Sequence, residues 1–182
     1  MPRIIPCYGL RMDQTGNLDL HYTTAAGPFI AGENIFEPLV AKDVDGTIHP
    51  HLVEDLPEIS QDGLVYTFKL KEGITFHDGS LLTTEDVVAT FERLLDPENV
   101  SVHSGVLTRL ILGAAEFAAG EADEIAGITV YDDYTFSFTL TSPNVTFLNS
   151  LSDLAFAIYP AEAKDIPGWG VETVIGTGPF ML

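Results

Sequence analysis

Basic residues are scarce in this chain of 182 residues, with 8 Lys and Arg against 27 Asp and Glu and a formal net charge of -19. A phosphate backbone would meet repulsion here rather than release of its counterions, so nucleic acid is a poor partner. Cysteine is nearly absent as well. Cys7 is the only one, which rules out an intrachain disulfide and a cysteine metal cluster. The stretch Arg3-Ile4-Ile5-Pro6-Cys7 has no apolar run ahead of the cysteine, and Pro6 stands where a lipid-attachment site needs a small residue, so Cys7 reads as a plain thiol. Long apolar runs are also missing. No segment reaches the roughly 18 residues of a membrane-spanning helix, and Met1-Pro2-Arg3 does not open an apolar signal region.

What the chain does have is a hydrophobic content of 46%, enough to bury a core of one domain or slightly more. Its apolar residues fall into clear periods. Leu64, Tyr66, Phe68 and Leu70 alternate along one face of a strand that follows the turn signal Gln61-Asp62-Gly63. Tyr134, Phe136, Phe138 and Leu140 repeat that pattern, and Asp132-Asp133 joins their strand to another over Ile125–Tyr131 as an antiparallel hairpin. The best helix runs from Thr84 to Leu95, with an apolar stripe of Val87, Val88, Phe91, Leu94 and Leu95. Thr83 suits its N-cap, Glu85 and Asp86 suit its positive end, and Leu82 with Val87 has staple spacing.

Weaker periodicity predicts a short strand over Arg3–Tyr8, an extended segment Leu18–Tyr22 running into the turn Gly27-Pro28, and a short helix over Glu33–Ala41 limited by Pro38. A helix from Ser104 to Ala119, broken near Gly113, comes after the long helix. A short helix carrying Phe147, Leu148 and Leu151 follows, then a strand over Leu154–Tyr159. Gly176-Thr177-Gly178-Pro179-Phe180 is a tight turn entering a further strand. This order of elements gives a mixed α/β or α+β class without internal repeats.

Residues with possible site chemistry have plainer readings. His49-Pro50-His51 lacks a further placed ligand and reads as a solvated turn rather than a metal site. His77-Asp78 reads as a turn rather than a catalytic pair. Asp132-Asp133 and the run Glu121–Glu124 lack the spacing of a calcium loop. Gly176-Thr177-Gly178 is not followed by the Lys-Ser or Lys-Thr of a phosphate loop. No Gly-x-Ser-x-Gly or His-Glu-x-x-His occurs, so an enzyme is not expected, nor is a metal or cofactor.

One family resemblance gathers these pieces. Asn34-Ile35-Phe36-Glu37-Pro38-Leu39-Val40, then Gly46 and Pro50, then Leu52-Val53-Glu54-Asp55 occur in order. They lead into Ile59-Ser60-Gln61-Asp62-Gly63-Leu64-Val65-Tyr66-Thr67-Phe68-Lys69-Leu70-Lys71-Glu72-Gly73-Ile74-Thr75-Phe76-His77-Asp78-Gly79 and Thr84-Glu85-Asp86-Val87-Val88. Ile111-Leu112-Gly113-Ala114, Gly120, Gly127-Ile128, Asp132-Asp133-Tyr134-Thr135 and Gly176-Thr177-Gly178-Pro179-Phe180 complete the series. The chain resembles the amino-terminal part of the family 5 extracytoplasmic solute-binding proteins, the oligopeptide and dipeptide type that serves ABC importers. Where many members carry a tryptophan after Leu-Ala-Glu-Ser, this chain has Asp55-Leu56-Pro57, a departure expected to shift a packing contact rather than a function.

The resemblance implies a periplasmic-binding-protein-like type II architecture. Residues 1–33 would be part of a first ligand-binding lobe, 34–174 an extra small domain, and 175–182 the start of the return into the first lobe, with the second lobe absent. It also implies an extracytoplasmic location, with the export signal not present in this chain. The expected partners are a peptide or other small solute, held weakly by this part alone, and an ABC transporter permease. Unpaired strand edges would favour self-association. The segment that touches ligand in the family matches Thr23, Thr24, Ala25 and Ala26 here, which offer no acid to a peptide amino terminus. An alternative is a scaffold or interaction domain that has lost binding, including the binding-like domain of a regulator, although no helix-turn-helix pattern precedes Asn34.

Overall fold

A computed structural model of the protein describes residues 16–181. The strand expected over Arg3–Tyr8, and Cys7 with it, lie outside the described residues. The first element of the described residues is a 3-10 turn at Leu20–Tyr22, where the Asp19 side chain accepts a hydrogen bond from the His21 N–H. A first helix, α1, follows at Ala26–Gly32. The helix therefore lies earlier than the Glu33–Ala41 expected from apolar spacing, and Val40–Lys42 is instead a strand, β1. The two prolines explain the shift. Pro28 occupies the first turn of α1, where its missing N–H has no intrahelical partner to lose, whereas Pro38 would interrupt a helix interior.

β1 pairs with β2, Ile48–Pro50, as a small antiparallel hairpin that periodicity does not reveal, because three residues are too few to show alternation. The main sheet has four antiparallel strands. They are β3 (Glu58–Ile59), β4 (Val65–Lys69), β5 (Ile128–Val130) and β6 (Thr135–Thr139), in the spatial order β3-β4-β6-β5. The register sets Tyr66 opposite Phe138 and Phe68 opposite Phe136, so the two aromatic faces read from alternation coincide. The Phe68 and Phe136 rings stack with centroids 5.4 Å apart, and Phe138 meets Phe91 edge-on at 4.8 Å. Each such ring, taken fully out of water, contributes roughly 1.5–3 kcal/mol.

Phe91 belongs to α2, Thr84–Leu94, which lays Val87, Phe91 and Leu94 on this face. Its start is secured by the Thr83 N–H donating to the Asp86 carboxylate at 2.8 Å, the return half of a capping box. The other Asp86 oxygen accepts from Ala161 N–H at 2.9 Å and so ties the helix to a 3-10 turn at Ala161–Lys164. α3 (Ser104–Leu110) and α4 (Ala114–Ala118) are separated where Gly113 adopts φ +76°. A Cβ there would come within 2.8 Å of Ala126, so only glycine fits the break. α5, Phe147–Leu151, sends Phe147 against Tyr66 and Phe138.

The segment Leu154–Tyr159 is not a sheet strand. Asp153 caps a 3-10 turn at Leu154–Phe156, and residues 157–160 continue buried and outside any sheet. Their backbone polar groups find partners elsewhere: Ile158 N–H donates to the Glu37 carbonyl and Tyr159 N–H to Thr90 Oγ. A β-reading fails because the apolar run is buried by neighbours on all sides rather than by a ladder.

The buried hydrophobic residues form two clusters. The larger joins the sheet, α2 and the shorter helices. The smaller contains Leu18, Leu20, Ile35, Phe36, Tyr159 and Val174, drawn from both ends of the described chain. The turn at Gly176–Gly178 crosses the chain at Ile35. Gly178 N–H donates to the Ile35 carbonyl and Phe180 N–H to the Asn34 carbonyl. A Cβ on Gly176 would lie 2.0 Å from the Ile35 oxygen, which explains glycine at this contact.

Candidate functional site

Thr23–Ala25 leaves the smaller cluster as an extended segment, and Ala26 opens α1. Thr23 has φ -128° and ψ 151°, and Ala25 has φ -74° and ψ 133°. Thr24 and Ala26 are exposed, while Thr23 and Ala25 are half-buried. The Thr23 hydroxyl accepts from Ala25 N–H at 3.1 Å, and the Thr23 carbonyl accepts from the His103 ring at 3.0 Å. Among the described residues, neither the N–H nor the C=O of Thr24 has a backbone partner. The structure thus brings the four residues together as one short strip whose Thr24 main-chain groups have no backbone partner among the described residues.

Beneath this strip lies a buried polar cluster that periodicity did not reveal. Arg93, on the last turn of α2, forms a two-pronged pair with Asp19: Nη1 donates to Oδ1 at 3.1 Å and Nη2 to Oδ2 at 2.5 Å. Nη1 also donates to His21 Nδ1 at 2.9 Å. A guanidinium has no acceptor, so His21 must carry its proton on Nε2, which donates to the Ala157 carbonyl at 3.1 Å. Burial first, and the Arg93 charge second, hold the His21 ring well below the ordinary imidazole pKa, so it stays neutral. Its ring stacks on Tyr159 at 3.9 Å. Burial likewise pushes the Tyr159 phenol well up, and its oxygen accepts from Leu20 N–H at 2.9 Å. The Tyr22 hydroxyl donates to the Arg93 carbonyl, and the guanidinium lies 4.8 Å from the Tyr22 ring centre.

Ser101 and His103 extend the cluster toward the strip. The Ser101 hydroxyl donates to the His21 carbonyl and accepts from His103 N–H at 3.1 Å. The sequence did carry a faint signal of this arrangement. Asp19 and His21 alternate with Leu18 and Leu20 in an apolar stretch, and Arg93, one of only 8 Lys and Arg residues, lies within a helix otherwise read for its apolar stripe.

The histidines weighed earlier have other partners. His49 reaches Asp43 at 2.7 Å and His51 reaches Glu37 at 2.9 Å, so the pair flanking Pro50 diverges onto two carboxylates. His77 does not meet Asp78. Its Nε2 donates to the Gly178 carbonyl at 2.8 Å, and its Nδ1 accepts from Gly176 N–H at 3.2 Å, which clamps the glycine turn. Glu37 also accepts from the Thr177 hydroxyl at 2.7 Å. Burial alone would raise Glu37, but the hydrogen bonds from His51 and Thr177, with the nearby positive charges, outweigh it and lower its pKa.

A surface groove of about 620 Å³ runs between α2 and the Ala161–Lys164 turn, away from the strip. Glu85, Glu92, Glu162 and Asp165 line it with a single Lys164. Its acidic groups repel one another and no buried donor converges on it, so it is a solvated face. Among the described residues, no helix is long and apolar enough to cross a membrane.

The profile of the bacterial extracellular solute-binding proteins, family 5 (middle region), matches residues 47–182, and the chain belongs to this family. Among curated relatives, the Di/tripeptide-binding protein 4 of Pseudomonas aeruginosa is 33% identical over 90% of this chain and 32% of its own. The Escherichia coli protein named "Probable deoxycholate-binding periplasmic protein YgiS" is 34% identical over 82% of this chain and 29% of its own. Among solved structures, a periplasmic oligopeptide-binding protein of Borrelia burgdorferi superposes with a TM-score of 0.83 at 29% identity, covering 92% of this chain and 34% of that one. The fold is therefore periplasmic-binding-protein-like, as the resemblance implied. The chain spans about a third of the length of these relatives, and the proteins of this family and its structural neighbours are solute-binding rather than enzymatic.

Proposed function

We propose that this chain is part of the extracytoplasmic solute receptor of an ABC importer, that its solute is a peptide or a molecule of similar size, and that Thr23–Ala26 forms one wall of the site. The observation that carries the reading is the extended strip whose central residue, Thr24, keeps its N–H and C=O free among the described residues. An extended peptide pairs with such groups as an added strand, which gives affinity without dependence on side chains. The name of the Pseudomonas relative supports the solute class. In this proposal residues 1–33 and 175–182 are parts of a ligand-binding lobe and 34–174 is a smaller domain beside it. The bonds from Gly178 and Phe180 to Ile35 and Asn34 set the 175–182 segment against the residues that directly follow 1–33, which supports this division.

A two-sided cleft holds its ligand from both walls and excludes water from the polar contacts. If a protein of the relatives' full length binds at about micromolar, roughly 8 kcal/mol is at stake, and losing half leaves about millimolar affinity for this part alone. Isothermal calorimetry with a library of di- to pentapeptides tests the reading. Binding by the full-length form together with weak binding by this chain is the expected result. A complex of this chain tighter than about 10 micromolar would place the site elsewhere, and no peptide binding by the full-length form would refute the solute class.

A further inference from the structure

We propose that His103 and Ser101 are positioning residues, which hold the peptide plane between Thr23 and Thr24 so that Thr24 presents its main chain outward to ligand. The inference rests on the reading of Thr23–Ala26 as a binding wall. No cis peptide occurs among the described residues, so the Thr23 C=O and the Thr24 N–H, which share one planar trans unit, point in opposite directions. His103 Nε2 takes the Thr23 carbonyl at 3.0 Å. Pinning that oxygen toward the protein turns the Thr24 N–H away from it, to the side where no described backbone acceptor exists.

The device is braced at each step. The His103 ring stands edge-on to Phe29 at 6.1 Å and to Phe156 at 6.4 Å, which sets its plane. Ser101 accepts from the His103 N–H at 3.1 Å and its hydroxyl donates to the His21 carbonyl, two residues before the pinned oxygen. His21 is in turn held by Arg93, Ala157 and the Tyr159 ring. The carbonyls of residues 21 and 23 are thereby fixed inward from a segment about 80 positions away in the chain. Neither Ser101 nor His103 needs to touch ligand for this to operate.

The test uses His103→Phe, which keeps a flat ring without the donor, and His103→Gln, whose amide nitrogen lies the same number of bonds from Cβ. Ser101→Ala and Ser101→Thr repeat the comparison in case His103→Phe does not fold. Residual dipolar couplings of the Thr24 N–H report the peptide plane without ligand, and amide shifts during titration with trialanine report binding at about millimolar. The inference expects His103→Phe and Ser101→Ala to average the Thr24 coupling and weaken trialanine about tenfold, with His103→Gln and Ser101→Thr restoring both. An unchanged Thr24 coupling and affinity in His103→Phe, with the parent's titration intact, overturns the positioning role and leaves the binding wall standing. Absence of any trialanine-dependent shift at Thr23–Ala26 in the parent chain overturns the binding wall, and the inference with it.

Discussion

Replacing Arg93 with Met should be among the most damaging single changes in the chain, although it removes no part of the hydrophobic core. The Arg93 and Asp19 side chains are only 11% and 8% exposed and share two hydrogen bonds. Methionine keeps much of the apolar stem but leaves the Asp19 carboxylate buried, with the His21 N–H as a remaining donor. Removing one partner of a buried pair costs about 3–5 kcal/mol, because the other charge stays desolvated. The contact with the Tyr22 ring is worth about a further 0.5–1 kcal/mol. Against a typical total of about 5–15 kcal/mol, a loss near 4 removes a large fraction. With a urea slope of about 2 kcal/mol per molar, the unfolding midpoint should fall by about 2 M. Trp169 is the chain's single tryptophan and packs 5.1 Å from Tyr159, so its fluorescence reports the cluster that Arg93 joins to α2. Lys69→Met is the control, since the Lys69–Glu54 pair is 53% and 41% exposed and solvent screens such pairs strongly. A midpoint shift for Arg93→Met no larger than that of Lys69→Met would refute the reasoning. In the Asp19→Asn, Arg93→Met double variant the cost should be clearly less than additive.

Two further outcomes follow from the same contacts. His21 is held neutral in the fold with a pKa below its unfolded value, so its contribution is full above about pH 6.5 and is lost as pH falls, by roughly 1.4 kcal/mol per unit until the folded pKa is reached. Urea midpoints measured from pH 7.5 to 5 should decline below 6.5 in the parent chain and much less steeply in His21→Gln, and equal slopes would show that another group governs this window. Gly176→Ala should cost about 3 kcal/mol or more, because its Cβ would meet the Ile35 carbonyl at 2.0 Å and backbone cannot move aside cheaply. Gly105→Ala, in α3 with nothing within 4 Å, should be neutral or stabilise by up to about 1 kcal/mol, and thermal melts of the two variants that agree within error would contradict this reading.

The parts of the fold legible in the sequence were those whose causes are local. Alternation over Leu64–Leu70 and Tyr134–Leu140 identified β4 and β6, since a half-buried strand must place every second side chain in the core. Thr83, Asp86 and the apolar stripe identified α2, since a helix start needs donors satisfied within one turn. Gly113 marked the break between α3 and α4 for a similarly local reason. Elements lacking such a cause were misplaced. α1 lies before its expected position, and Leu154–Tyr159 is a turn followed by buried, irregular chain. An apolar run of that length fits a strand or any other buried path equally well until its neighbours are known.

The candidate site divides in the same way. The position of Thr23–Ala26 followed from family motifs in order along the chain, while composition and charge made nucleic acid a poor partner and sequence motifs pointed away from catalysis. The cluster beneath it joins Asp19, Leu20 and His21 to Arg93, Ser101, His103 and Tyr159, through hydrogen bonds that span as many as 139 positions. No periodicity links such residues, because hydrogen bonds of this kind depend on distance in space and on which element passes beside which. The sequence by itself determined the family, the sheet's aromatic face and the capped helix, all through patterns a few residues long. Tertiary structure alone decided that a scarce arginine would neutralise a buried aspartate, that a histidine would be kept uncharged beside it, and that a second histidine would reach the Thr23 carbonyl. Each of those outcomes depends on desolvation and on donor geometry, which exist only once distant segments have been packed together.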